Sequence, residues 1–507
     1  MNTKGLIGTS LSKNMIMSLV SRIVTLITGL IIQREILLAY GSVLNGLTSS
    51  ISQVMSYLIL LEAGLGTASI QALYAPLADE DWDKVSGILS ATKSQYKKIA
   101  GIFILLLLVV SAVLPFAVID EVEYGVAALL TLVTGGSYVL SYIVGGKYKA
   151  ILNSDRKVYV LYTLEVISVV LSCILRVIAL HLGFDIVTVQ IINLATILIK
   201  NVGYVIYVKH RYKNVDHNAA PDMPSISKRK NVIVHSIAGV VVNHTDIMIL
   251  TLFASMSVVS VYSIYNLVFA QFSILFQTTL GSALQGNLGR LYNKDKEQFK
   301  QHFSLYETIF TVLLFIISSI SIIMILPFVK LYTSGVNDAD YIDFWLPLLF
   351  TLIFLMNTIR VPTITAINVA GAFEETQRDA LIEAIINLVV SITLFAIGLG
   401  IYGLLIGTVV SFLYRTTTSI VYAYKNIIER SAKNLIRTII VNSSVFIALY
   451  VVLAIIAPVN VTSWFGWILG AVIVSVICIA SFGISNLIFN YKTVKNTFSD
   501  VKALFTR

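Results

Sequence analysis

Charge is scarce in this 507-residue chain: Asp, Glu, Lys and Arg together make up 12% of it, against 57% hydrophobic residues and a mean hydropathy of +0.86. No soluble domain of this length has that balance, which places the chain among the polytopic membrane proteins. Cysteine is nearly absent. Cys173 and Cys478 both lie inside apolar runs, so neither a disulfide framework nor a thiolate metal site is supported. The chain also lacks a Walker-type glycine loop ending in Lys-Ser/Thr, an HExxH pair and any paired-Cys metal spacing. ATP-driven transport by this chain alone is thereby disfavoured, and no metal site, cofactor or catalytic residue is expected. The net charge of +9 is not a nucleic-acid signature, because the basic residues are dispersed among short loops.

Apolar runs of bilayer-spanning length occupy about 14–39, 43–67, 99–118, 124–145, 157–181 and 185–208. After the polar stretch Lys209–Lys230 they resume at about 232–254, 258–287, 303–329, 343–369, 380–399, 402–424, 436–457 and 464–490. At roughly 20 residues per crossing these are about fourteen transmembrane helices. The first run follows Lys4 and Lys13 without a small-residue cleavage site, and is expected as a retained helix. Basic residues concentrate in the even-numbered loops, for example Lys84, Lys93, Lys97 and Lys98, or Lys147, Lys149, Arg156 and Lys157. Only Lys330 falls in an odd-numbered one. The positive-inside rule then puts both termini and the even loops in the cytoplasm. The odd loops are a few residues long, the largest being about Tyr332–Asp340, too short to carry the catalytic residues of a membrane glycosyltransferase or polymerase. The segment Asp79–Lys98 reads either as an amphipathic interfacial helix or as an extension of the next crossing.

The first hairpin, about Asn14 to Ala78 with a polar turn at Ser42–Asn45, recurs in worn form near position 232. Gln53 and Gln271 are 218 residues apart, as are Tyr74 and Tyr292, and Glu165 and Glu383. Trp82/Phe299 and Tyr207/Tyr424 are 217 apart. One shared offset through several helices indicates two copies of a six-helix unit. The expected organisation is a first lobe 1–208, a cytoplasmic linker 209–230, a second lobe 231–425, and two further helices with a tail, 426–507. Six is even, so both copies start on the same side. The symmetry axis is then expected along the membrane normal, with the substrate path between the lobes.

Ionisable residues inside the spans are the unusual feature, because a charge at membrane depth costs at least about 2.5 kcal/mol. The cations are Arg22, Arg34, Arg176, Lys200, Arg360 and Arg415; the acids are Glu35, Glu62, Glu165, Asp246 and Glu383. Arg22 and Arg415 lie near mid-span, too deep to snorkel, whereas Arg34 and Arg176 lie nearer the outward ends. Arg360 precedes Pro362, where a kink would open the backbone. Two readings stand side by side. The cations line an aqueous cavity that holds an anionic head group, since Arg grips phosphate bidentately, or they pair with the buried acids. Likewise Glu62, Glu165, Asp246 and Glu383 are either proton or sodium sites or counter-ions. His244 and Asp246, two apart, do not share a helix face.

The stretch LLEAGLGTASIQALYAPLA, Leu60 to Ala78, resembles the end of helix two in bacterial polysaccharide flippases. The run NHTDIMILTLFASMSVVSVYSIYNLVFAQF, Asn243 to Phe272, is similar to their helices seven and eight. Two six-helix lobes with two appended helices is the plan of the multidrug/oligosaccharidyl-lipid/polysaccharide exporter superfamily. The resemblance covers essentially the whole chain. It implies a multi-pass protein of the bacterial cytoplasmic membrane that works by alternating access and is not an enzyme. For the polysaccharide branch it implies cargo of undecaprenyl-diphosphate-linked oligosaccharide, flipped from the inner to the outer leaflet for capsule or O-antigen assembly. Membrane lipids, a polysaccharide polymerase and glycosyltransferases would be partners; nucleic acid would not. The alternatives are a flippase for lipid II, the peptidoglycan precursor, and an ion-coupled multidrug antiporter. A cavity rich in Arg disfavours cationic cargo.

Overall fold

A computed structural model describes residues 3–489, apart from positions 63, 217, 227–229, 457, 458 and 460. The tail from 490, Lys228 and Arg229 of the linker, and the side chains of Lys4 and His235 lie outside the described residues. Among those described there are helices and turns and no strand. In chain order the helices are α1 (Thr3–Leu58), α2 (Leu65–Ala78), α3 (Trp82–Ala117), α4 (Tyr124–Leu140), α5 (Gly146–Ser154), α6 (Val158–His181), α7 (Ile186–Arg211) and α8 (Lys230–Phe253). They continue as α9 (Met256–Leu275), α10 (Ser282–Lys294), α11 (Lys296–Tyr332), α12 (Trp345–Ile359), α13 (Val361–Ala370), α14 (Phe373–Leu394), α15 (Gly400–Ala423), α16 (Lys433–Tyr450) and α17 (Trp464–Phe489).

Among the described residues eleven stretches are long and apolar enough to cross a membrane. Two of them, Ile16–Glu62 with 47 residues and Phe373–Ile428 with 56, are too long for a single crossing of about 30 Å. Each is interrupted by glycine with positive φ, at Gly41 (79°) and at Gly398 (97°) and Gly400 (52°), a conformation that costs other residues dearly. Divided there, and joined by the shorter apolar helix Ile237–Phe253, they make about fourteen crossings. The chain is an all-α polytopic membrane protein with two lobes.

Several local expectations change. The first break falls at Gly41, and Ser42–Asn45 are helical rather than a turn. Their polar side chains are buried, Ser42 and Asn45 at 0% and 1% exposure, because Asn45 Nδ2 donates to Ser260 Oγ at 2.7 Å. Asp79–Lys98 is an extension of the next crossing: α3 runs unbroken for 36 residues from its N-cap Asp81, which accepts from Lys84 N at 3.0 Å. Its early apolar residues Val85, Ile88 and Leu89 are buried. The linker lies along that extension, with Asp216 N donating to Ser86 Oγ (2.9 Å) and Asp222 N to Gly87 O (3.0 Å). In the second repeat α11 has the same build, 37 residues capped by Asp295.

By its contacts the chain groups into two compact units, residues 1–260 and 261–507. In the first unit α6 and α7 form an antiparallel hairpin. Asp185 caps α7, and the cross-links Ser168–Thr196 (3.0 Å) and Ser172–Asn193 (3.1 Å) set its register. The limb Ser42–Leu58 of α1 runs beside α8, bonded through Ser50–Thr251 (2.6 Å) and Tyr57–Thr245 (2.9 Å). Thus α8, which follows the linker in sequence, groups with the first unit. In the second unit α14 and α15 form the matching hairpin, held by Asn387–Thr408 (2.9 Å) and Ser391 Oγ donating to Leu404 O (3.2 Å).

Candidate functional site

Hairpin register brings charged residues of each unit together. In the first unit Glu165 on α6 meets Lys200 on α7, with Nζ 2.8 Å from Oε2. Lys200 is nearly enclosed, its side chain 12% exposed, while Glu165 is open at 34%. Lys149 on α5 lies within electrostatic reach of Lys200, Glu165 and Glu62. Glu62, in the turn Ile59–Glu62, accepts the Tyr96 hydroxyl at 2.6 Å. At the other end of the same hairpin Arg176 donates to Gln190 at 3.4 Å and lies near Tyr40 and Cys173. Glu35 lies 3.9 Å from His181. Arg34 is half-buried on α1; Arg22 is exposed there and has no ion pair among the described residues.

The second unit builds a denser cluster. The helix breaks at Arg360, between α12 and α13, one residue before the proline-containing first turn of α13. Arg360 Nη1 contacts Glu383 Oε1 at 2.5 Å, Nη2 donates to Asn357 Oδ1 at 2.8 Å, and the guanidinium lies over the Phe412 ring, 4.9 Å from its centroid. The same carboxylate meets a second guanidinium, with Arg415 Nε 3.7 Å from Glu383 Oε2. Arg415 also donates to Thr376 O (3.1 Å) and approaches Asp379 (3.9 Å). Glu383 and Arg415 are almost dry, their side chains 8% and 6% exposed. Two cations on one buried carboxylate, with Asp379 as the outer counter-charge, make a cluster that is costly to leave half-broken.

Asp246 is 3% exposed on α8, beside the Tyr57–Thr245 bond, and His244 bonds Gln53. The structure therefore joins Lys200 with Glu165, and Arg360 and Arg415 with Glu383. Asp246 lies outside these clusters.

Three participants are absent from the sequence-derived candidates. Asp379 sits one helical turn before Glu383, a spacing that is a usable signal. Lys149 reads as a loop residue, but the helix continues past α4 through a π-turn at Ser141–Gly145 into α5. Glu307 lies near the start of the apolar run 303–329 and is 6% exposed.

No protein-family profile matches the chain, and no curated protein sequence does. Solved structures do match. An inward-facing multidrug resistance MATE transporter of the MOP superfamily has a TM-score of 0.64 at 15% identity, covering 79% of this chain and 94% of its own. The lipid II flippase MurJ in an inward closed conformation has a TM-score of 0.65 at 15% identity, covering 94% of this chain and 99% of its own. A Vibrio cholerae MATE transporter aligns with a TM-score of 0.51 at 15% identity over 83% of this chain and all of its own. The chain has the fold these transporters share.

Proposed function

We propose that this chain is a flippase that carries an undecaprenyl-diphosphate-linked oligosaccharide from the inner to the outer leaflet of the bacterial cytoplasmic membrane, by alternating access, with both termini in the cytoplasm. The observation that carries the reading is the set of intramembrane cations, led by two guanidiniums converging on one carboxylate at Glu383. Such cations suit a diphosphate and oppose cationic drugs. The fold likeness is to a lipid II flippase and to MATE transporters alike, so the cation set and not the fold carries the choice.

In this reading Arg22, Arg34, Arg176, Lys200, Arg360 and Arg415 meet the diphosphate in turn along its path. Arg22, having no ion pair among the described residues, can bind it without leaving a carboxylate. Lys200, Arg360 and Arg415 must leave their carboxylates to do so. Glu165 and Glu383, once released, would then be uncompensated at membrane depth and take up H⁺ or Na⁺. Cargo and ion are coupled because each displaces one member of the same ion pair, so that binding of one frees the partner of the other. Glu62 and Asp246 are the further ion-site candidates. Polymer-assembly enzymes, a polymerase and glycosyltransferases, would act before and after the flip.

Complementation tests the reading. Strains lacking either a polysaccharide flippase or the lipid II flippase receive the wild type, Arg22→Ala and Arg360→Ala, with membrane levels checked by immunoblot. Restored surface polymer by the wild type, and its loss in well-expressed variants, supports the proposal. A charge-assisted phosphate contact is worth roughly 1.5–3 kcal/mol, so each substitution should weaken cargo binding about ten- to a hundred-fold. Rescue of only the lipid II strain moves the cargo to lipid II, which bears the same diphosphate. Full polymer export by a well-expressed Arg22→Ala/Arg360→Ala double variant removes the diphosphate role.

A further inference from the structure

A second kind of buried acid lies away from the paired clusters. Glu307 on α11 is 6% exposed and has no ion pair among the described residues. The Tyr424 hydroxyl donates to its Oε2, and Oε1 has no hydrogen-bond partner among the described residues. One turn further along α11 the hydroxyl of Thr311, fully buried, also lacks a partner among the described residues. Its neighbours behave differently: Thr308 Oγ1 donates to Ser304 O at 2.8 Å and Thr438 Oγ1 to Asn434 O at 2.9 Å.

These residues line one cavity of about 60 Å³ between α11, α16 and the π-turn Tyr424–Ile428 that ends α15. That is room for an ion with a few waters. The lining is rich in oxygen: Ser304, Glu307, Thr308, Thr311, Tyr424 and Thr438. From α16 the cavity receives only Asn434, Leu435 and Thr438, all neutral. The charged groups at its wall besides Glu307 are Lys300 and Arg430. Both are already engaged, Lys300 with Glu297 (2.9 Å) and Glu429 (3.8 Å), and Arg430 with Glu297 (2.8 Å). Neither compensates Glu307.

We propose that Glu307, Thr311, Tyr424 and Thr438 form a binding site for a monovalent cation, Na⁺ or H⁺, distinct from the ion-paired clusters. An enclosed carboxylate without a counter-ion must hold a cation or a proton, and hard cations take oxygen ligands of this kind. One carboxylate among neutral oxygens matches a single positive charge. Among the described residues no group of three or more His, Cys, Asp or Glu could hold a metal ion, which weighs against a divalent ion. The exposed members of the lining are Arg430, Ser431 and Asn434, so ions load from the side the proposed topology makes cytoplasmic.

The test needs no cargo, so its failure and that of the flippase reading are separate. Purified protein in nanodiscs is assayed for ²²Na⁺ binding, with choline as the control ion. In parallel, infrared difference spectra across a pH series follow the protonated-carboxyl band. A component of Na⁺ binding, or of the titrating carboxyl band, should be present in the wild type and be lost in Glu307→Gln, leaving any contribution of the other acids in place. Thr311→Val and Thr438→Val should weaken Na⁺ binding about tenfold, in keeping with removal of one ligand each, or displace the band if the occupant is a proton. Asp185→Asn, on the other unit, should change neither readout. Should Glu307→Gln fail to fold, Tyr424→Phe and the two Thr→Val variants carry the test. Absence of both signals from the wild type, or their persistence unchanged in the folded variants, overturns the site.

Discussion

The hairpins α6/α7 and α14/α15 occupy equivalent places in the two repeats and solve the same problem differently. Each carries a glutamate at the shared offset, Glu165 and Glu383, and each neutralises it from the following helix, through Lys200 or Arg415. In the second unit Arg360 is added from a helix break. The residue 218 positions earlier is Tyr142, so the first unit has an aromatic ring where the second has a fork of donors. The consequence is visible in exposure: Glu165 keeps a third of its side chain open, whereas Glu383 is closed in by two guanidiniums. A lysine is a mobile point charge suited to one exchangeable contact; arginine's planar fork bridges several acceptors at once. One scaffold thus supports a labile pair in its first copy and a tied cluster in its second.

The largest break in that comparison should come from stripping the tied cluster. Glu383→Gln leaves two nearly dry guanidiniums without their shared carboxylate and should cost about 3–5 kcal/mol of apparent stability, read as unfolding in detergent. Glu165→Gln, at a wetter pair, should cost well under half as much. Equal destabilisation would mean the two clusters are energetically alike.

Helix approach sharpens the contrast next. A methyl added at Gly407 would lie 2.3 Å from Ser391 Oγ and 2.6 Å from its backbone N, so Gly407→Ala should force α14 and α15 apart at about 1–3 kcal/mol. In the first hairpin Gly203→Ala meets only the Leu164 methyls, at 3.1 Å and 3.2 Å, which can rotate aside. Its thermal unfolding should barely move.

Charge chemistry at constant charge is a finer probe. Arg360→Lys keeps the positive charge but cannot hold Glu383 and Asn357 together over Phe412. Transport should fall about tenfold, the equivalent of one charge-assisted hydrogen bond. Lys200→Arg keeps its single pair and should stay within about twofold of wild type. Transport assays on matched membrane amounts decide between them.

The smallest effect belongs to the turn that starts α7. Hydrogen bonds from Thr188 hold the exposed Asp185 carboxyl below its ordinary value. Its capping contribution is therefore present above the unfolded-state value of about 4 and lost as pH falls through the lower folded value. Asp185→Ala should cost about 1 kcal/mol at neutral pH and progressively less in acid, measured by thermal unfolding across a pH series.

Much of this architecture follows from the sequence alone. Apolar runs of crossing length need only composition, because every buried backbone group in lipid must bond within its own helix. The kink beside Pro362 follows from local backbone rules, and the common offset of Glu165 and Glu383 marks equivalent places. Partner choice is not legible there. Helices apolar on nearly every side blur the periodicity that would name a facing residue, so nothing local tells Glu383 to meet Arg360 and Arg415. Register between α14 and α15, set by close approach at glycine and hydroxyl bonds, brings Arg415 to Glu383, and the break between α12 and α13 adds Arg360. Ser42 and Asn45 resemble a solvent turn because polar residues favour turns, and only tertiary packing, in which Asn45 meets Ser260 of α9, buried them. Glu307 is the clearest case. Its sequence neighbours are those of a helix entrance, and its burial exists only because α16 and the end of α15 close over it.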